Sequence, residues 1–163
     1  MKPSLYLETT IPSYLAAKPS NNLTNLYRQY LTKNWWDMKR NDFILFTSIY
    51  TWQECNRGNS AAAYKRLEVL KDIPQVPTSK EVEALAYEYA KLLAIPDRSI
   101  IDAFHLAICV INQIDYLLSW NCTHLGPESF KKIMTYNSNN NLFIPVLITP
   151  EAFVEVGGVD NEI

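Results

Sequence analysis

Arg98-Ser99-Ile100-Ile101-Asp102-Ala103-Phe104-His105-Leu106-Ala107-Ile108-Cys109-Val110-Ile111 is apolar on nearly every face of a helix. A helix of that kind belongs at the centre of a domain, not on its surface. Asp102 stands near its N-terminal end, and His105 follows one turn later on the same side. A carboxylate in so apolar a segment needs a partner, a proton or a cation, because an unpaired buried charge is costly. Two roles stay open for Asp102 at this point. Ser99-x-x-Asp102 has the spacing of a capping box, in which the acid serves only the helix start. The other role is in a site.

Short apolar runs alternate with helical patterns on both sides of this helix. Leu5-Tyr6-Leu7, Phe43 to Phe46, Asp115 to Trp120 and Ile144 to Ile148 read as buried parallel strands. Pro74-Gln75-Val76-Pro77 reads as a short edge strand. The spacing predicts an amphipathic helix over 21–40, carrying Leu23, Leu26, Tyr27, Tyr30, Leu31 and Trp35. One of the adjacent Trp35 and Trp36 is expected at the surface. Ser48 caps a helix that carries Glu54, which Gly58 closes, and Asn59 opens the next over 60–71. Thr78-x-x-Glu81 reads as a capping box before a helix over 82–93. Gly126-Pro127 starts a helix through Met134, and 137–141 reads as a polar loop. The expected fold is α/β, a three-layer α/β/α sandwich around a mostly parallel sheet of about five strands. One domain is expected over 1–156, with 157–163 an acidic, mobile tail.

Of the 163 residues 48% are apolar and 20% charged, which is ordinary for a globular protein. The formal net charge of −2 excludes attachment to nucleic acid by bulk charge. Residues 1–132 carry +2 and the remainder −4, so any substrate groove has to be locally basic. Cys55, Cys109 and Cys122 are widely spaced, which suits reduced thiols and neither a disulfide framework nor a zinc knuckle. No Gly-rich phosphate loop supports a nucleotide-binding domain of flavodoxin type. The chain starts without a signal-peptide pattern and has no apolar run of membrane-span length, so the cytoplasm is the expected compartment.

The residues that carry chemistry fall at strand ends and helix starts. Glu8 ends the first strand, Glu54 rides the helix after the second, Asp102 opens the central helix, and Asn121 ends the strand at 115–120. In a parallel sheet all four converge on the C-terminal edge, where open α/β sheets bind ligands. Three carboxylates and an amide suit Mg²⁺ or Mn²⁺ better than zinc. Such an ion activates water and offsets charge at a phosphodiester. His105 reads as a hydrogen-bonded core residue, and His124 as a phosphate or outer contact of the site.

Tyr6-Leu7-Glu8-Thr9-Thr10, Trp52-Gln53-Glu54, Ile101-Asp102-Ala103-Phe104-His105-Leu106-Ala107 and Asp115-Tyr116-Leu117-Leu118-Ser119-Trp120-Asn121-Cys122-Thr123-His124 follow one another in an order that resembles the PIN-domain family. The resemblance is to its VapC-type toxin ribonucleases of type II toxin–antitoxin modules, and it covers nearly the whole chain. It implies a metal-dependent endoribonuclease that hydrolyses RNA phosphodiester bonds and leaves 5′-phosphate and 3′-hydroxyl ends. Glu8, Glu54 and Asp102 would hold Mg²⁺ or Mn²⁺, with Asn121 as an oxygen ligand or water-orienting group. RNA is the implied substrate, a cognate antitoxin the implied protein partner, and a homodimer a further assembly. Two departures stand out. The family usually has Asp where Glu8 stands, and many members have Asp where Asn121 stands. They motivate an alternative from another class, a catalytically degenerate PIN-like domain that binds RNA or protein.

Overall fold

A computed structural model of the chain describes residues 1–121 and 125–154. The expected tail over 157–163, Cys122 and His124 lie outside the described residues. The sheet is organised around β1 (Ser4–Leu7). On one side of it lies β2 (Ile44–Phe46), on the other β3 (Tyr116–Leu118), and β4 (Val146–Ile148) lies beyond β3. Every pairing is parallel; Tyr6 stands opposite Phe46 on one side and Leu117 on the other. The helices are α1 (Thr10–Ala16), α2 (Leu23–Met38), α3 (Ile49–Cys55), α4 (Ser60–Leu70), α5 (Lys80–Leu92), α6 (Ile100–Ile111) and α7 (Pro127–Asn139).

Strand alternation sorts the core into two halves. Tyr6 and Leu117 point to one face, where Val82 and Tyr89 of α5, Leu106 and Val110 of α6, and Ile133 of α7 cover them. Leu5, Leu7 and Leu118 point to the other, against Ile11 of α1, Trp35 of α2, Cys55 of α3 and Leu70 of α4. A three-layer α/β/α sandwich is the result, as its alternating strands and helices predict. Trp35 is buried, while Trp36 is half-buried with the Arg40 guanidinium over its ring at 4.9 Å. No helix among the described residues is long and apolar enough to cross a membrane.

Three expectations are corrected. The sheet has four strands, because 74–77 contributes only a bridge between Thr47 and Gln75. The Thr47 N–H donates to the Pro74 carbonyl at 3.0 Å and the Val76 N–H to the Thr47 carbonyl at 2.9 Å. Neither Pro74 nor Pro77 has an N–H to extend that ladder. Helix α5 is capped by Ser79, whose side chain accepts from the Val82 N–H at 3.2 Å; the Thr78 hydroxyl pairs with that of Tyr50 instead. Helix α7 continues through 137–139, since buried Asn137 finds its partners inside the protein. Its side chain accepts from the Tyr89 hydroxyl at 2.6 Å and donates to the Phe143 carbonyl at 2.8 Å. The caps at Ser48 and Asn59 form as the sequence predicts, and Gly58 takes a φ of +83° between them.

The chain leaves β1 for β2 on one side and returns to β3 on the other, so β1 and β3 diverge in the direction of their connections. Their C-terminal ends open the crevice that doubly wound sheets use for ligands. Asp115 fixes this pair at its opposite end. Its Oδ2 accepts from the Ser4 N–H and hydroxyl, both at 2.8 Å, and its own N–H donates to Ser4 Oγ at 2.8 Å. Asp115→Ala removes the acceptor for two donors and should lower stability by about 2 kcal/mol in urea denaturation. An unchanged midpoint would show that the ladder alone holds the β1–β3 register.

Candidate functional site

Glu8 is the first residue past β1 and still belongs to the ladder, its N–H donating to the Leu118 carbonyl at 3.2 Å. Only 5% of it is exposed. Its Oε2 accepts three hydrogen bonds, from the Thr10 N–H at 3.0 Å, the Thr10 hydroxyl at 2.6 Å and the Ser119 hydroxyl at 2.8 Å. Three donors on one oxygen fix the orientation of this carboxylate. Its Oε1 accepts none from the described residues.

Glu54 lies in the second turn of α3, which Ser48 starts at the end of β2. Its Oε1 accepts from the Thr9 hydroxyl at 2.5 Å and from His105 Nε2 at 2.7 Å, and its Oε2 again accepts none from the described residues. Burial raises the Glu54 carboxyl, but the hydrogen bond and charge of His105, with Thr9 and Arg57, outweigh it and leave the group below its ordinary pKa. His105 is 1% exposed and reaches the Tyr6 hydroxyl through Nδ1 at 2.7 Å. One ligand atom from each of Glu8, Glu54 and His105 lies within 4.8 Å of the other two.

Asp102 is in the first turn of α6, where the helix dipole favours a carboxylate. Ser99 makes no side-chain cap bond there, so no capping box forms. Instead Asp102 Oδ1 accepts from Asn121 Nδ2 at 2.8 Å. The Asn121 N–H donates to Ser119 Oγ at 2.9 Å, and Ser119 in turn donates to Glu8. The four residues expected from the sequence thus form two pairs, Glu8 with Glu54 and Asp102 with Asn121, joined through Ser119. His105, Thr9, Thr10 and Ser119 are the members that the sequence reading left out. The threonines follow Glu8 directly, so their hydroxyls were the readable signal. Ser119 comes to Glu8 only through the β1–β3 register.

The donor chemistry fits a hard divalent cation. Glu8 and Glu54 each have one oxygen held by neutral or His donors and one that accepts no bond from the described residues. Neither has a Lys or Arg ion-pair partner among those residues. Two adjacent carboxylates in that state repel, and an oxygen-preferring ion relieves the repulsion.

No protein-family model and no curated protein matches the chain. Solved structures do. VapC20 of Mycobacterium tuberculosis, described as a sarcin-ricin loop cleaving toxin, aligns over 75% of this chain and 93% of its own, with a TM-score of 0.54 and 20% identity. The chain shares the fold of this toxin. A chain of VapBC2 from Rickettsia felis, in a structure with a DNA fragment from the promoter, aligns over 89% of this chain and 97% of its own. Its TM-score is 0.57 at 12% identity. In this VapC-like fold the C-terminal sheet edge carries Glu8, and the helices around it carry Glu54, His105 and Asp102.

The lowered Glu54 pKa has a pH signature. A carboxyl whose folded pKa lies below its unfolded value stabilises the protein above the unfolded pKa of about 4.3. That contribution is lost as pH falls through the folded value. Glu54→Gln should therefore lose less stability than wild type between about pH 5 and pH 3, read as urea midpoints across that range. Parallel acid limbs for the two proteins would remove Glu54 as the source.

Proposed function

We propose that the chain is a Mg²⁺- or Mn²⁺-dependent endoribonuclease, the toxin of a type II toxin–antitoxin pair, acting on RNA in the cytoplasm and held in check by a cognate antitoxin. The observation that carries the reading is the Glu8–Glu54 pair at the sheet edge, each carboxylate pinned through one oxygen with the other left for a shared ion. The fold is shared with a toxin described as cleaving the sarcin-ricin loop and with a chain of a VapBC assembly, which supports RNA as substrate and an antitoxin as partner.

Glu8 and Glu54 would hold the cation, and Asp102, oriented by the Asn121 amide, would complete the acidic set. A bound divalent cation supplies Lewis acidity at the phosphoryl group and lowers the pKa of a water. The protein's own part is to fix the carboxylates. Thr9, Thr10 and Ser119 do so with hydroxyls, which orient oxygen atoms without cancelling the negative charge that attracts the ion. A backbone shift at Thr10 or Ser119 would therefore move Glu8.

Purified protein tested for cleavage of structured and unstructured RNAs with Mn²⁺, Mg²⁺ or chelator decides the reading. Asp102→Asn should weaken Mn²⁺ binding at least about 10-fold by calorimetry while the fold is retained. Binding unchanged in that variant would take Asp102 out of the site. RNA binding without turnover of any substrate would favour the degenerate module instead.

Glu8 gives a finer test, because its three donors are set for the length of a glutamate. Glu8→Asp draws the carboxylate back from Thr10 and Ser119 and should slow cleavage, by up to about 100-fold for a displacement near 1 Å. Glu8→Gln keeps the length, loses the charge, and should lower metal affinity and rate together. Equal rates for wild type and both variants at saturating Mn²⁺ would make Glu8 a bystander.

A further inference from the structure

The closest cluster of ligand atoms contains an imidazole, which suggests a mixed carboxylate–histidine metal site. The hydrogen bonds around that imidazole point elsewhere. We infer that His105 is a positioning residue that holds Glu54 for the cation and does not itself ligate it, its ring being fixed from behind by Tyr6. The inference rests on the metal-site reading above and deepens it.

The argument is a placement of hydrogens. Thr51 Oγ1 directs its hydrogen to the Leu7 carbonyl at 3.1 Å, so toward Tyr6 it can only accept. Ser48 Oγ accepts the Tyr50 N–H at 3.2 Å and keeps its own hydrogen for the Tyr6 oxygen at 2.6 Å. The Tyr6 hydroxyl is fully buried and lies within hydrogen-bond distance of Ser48, Thr51 and His105. With a neutral imidazole, Ser48 donates to Tyr6, Tyr6 donates to His105 Nδ1, and Nε2–H donates to Glu54 Oε1. With an imidazolium, Nδ1–H donates to Tyr6 and Tyr6 donates to Thr51. In both states Nε2 carries a proton, because it faces a carboxylate oxygen at 2.7 Å.

A protonated Nε2 has no lone pair for a metal. The spacing agrees. The observed 2.7 Å is the length of a charge-assisted hydrogen bond. His105 therefore occupies Glu54 Oε1 and turns Oε2 toward the ion, so the site presents oxygen alone. That selects hard cations over zinc, which takes imidazole readily.

Imidazole ¹⁵N–¹H NMR of the whole protein tests this, with and without saturating Mg²⁺. The chain has two histidines, and His105→Gln assigns the spectrum. The expected result is a protonated Nε2 on His105 that persists when Mg²⁺ binds. A paired measurement is Mn²⁺ affinity. His105→Gln retains an N–H to donate to Glu54 and should stay close to wild type, while His105→Leu should bind about 10-fold more weakly. Loss of the Nε2 proton on Mg²⁺ binding, or unchanged affinity in His105→Leu, overturns the inference while leaving the metal site standing. No binding of Mg²⁺ or Mn²⁺ by wild type overturns the metal-site reading and this inference with it.

Discussion

Two carboxylates brought together at a buried sheet edge repel, and the local structure is an answer to that repulsion. Desolvation alone would push the Glu54 carboxyl toward its neutral form. Most protein interiors solve this with Lys or Arg, at the price of cancelling the charge. Here the offset comes from hydroxyls, a backbone N–H and one imidazole, each aimed at a single oxygen of its carboxylate. The second oxygen of each acid accepts no bond from the described residues, which is the geometric condition for capturing a divalent ion.

The fold supplies those donors through its connections. Thr9 and Thr10 follow Glu8 because α1 starts directly after β1. Ser119 directly follows β3, which pairs with β1 after four α-helices have followed β2. Ser48 both caps α3 and hydrogen-bonds the hydroxyl of Tyr6, so one side chain orients the helix that carries Glu54 and the phenol behind His105. Tyr6 stands in β1 between Leu5 and Leu7, whose side chains pack in the other half of the core. Its hydroxyl carries the sheet core into the polar network through Ser48, Thr51 and His105.

The sequence made the skeleton legible and the network opaque, for physical reasons. A near-continuous apolar helix over Ile100–Ile111 and apolar runs ending in Glu8 or Ser48 follow from burial, which leaves a local pattern. Hence the α/β order was readable, and with it the position of Glu8 at the end of β1 and of Glu54 on the helix after β2. Hydrogen bonds between elements leave no such pattern. His105 meets Tyr6 across 99 positions and Glu54 across 51, and nothing in the local sequence distinguishes that histidine from a satisfied core residue. The same holds for Asn137, whose partners are Tyr89 and Phe143. The strand expected at 74–77 failed for a local reason that was on view, the two prolines that bound it.

Asn121 shows how the two halves of the site depend on each other. Its amide nitrogen lies 2.8 Å from Asp102 Oδ1. A carboxylate in its place would face another carboxylate at that distance and would require a proton or a cation between them. An amide requires neither: it donates to Asp102 and adds no charge. The substitution therefore lowers the formal charge of the acidic set while fixing one of its members. Glu8 departs in the opposite sense, reaching further from β1 than an aspartate can. Its extra methylene brings Oε2 to the Ser119 hydroxyl, whose oxygen also takes the Asn121 N–H. The longer acid at the end of β1 and the amide after β3 thus share one serine, and each is held in place by a contact that reaches the other.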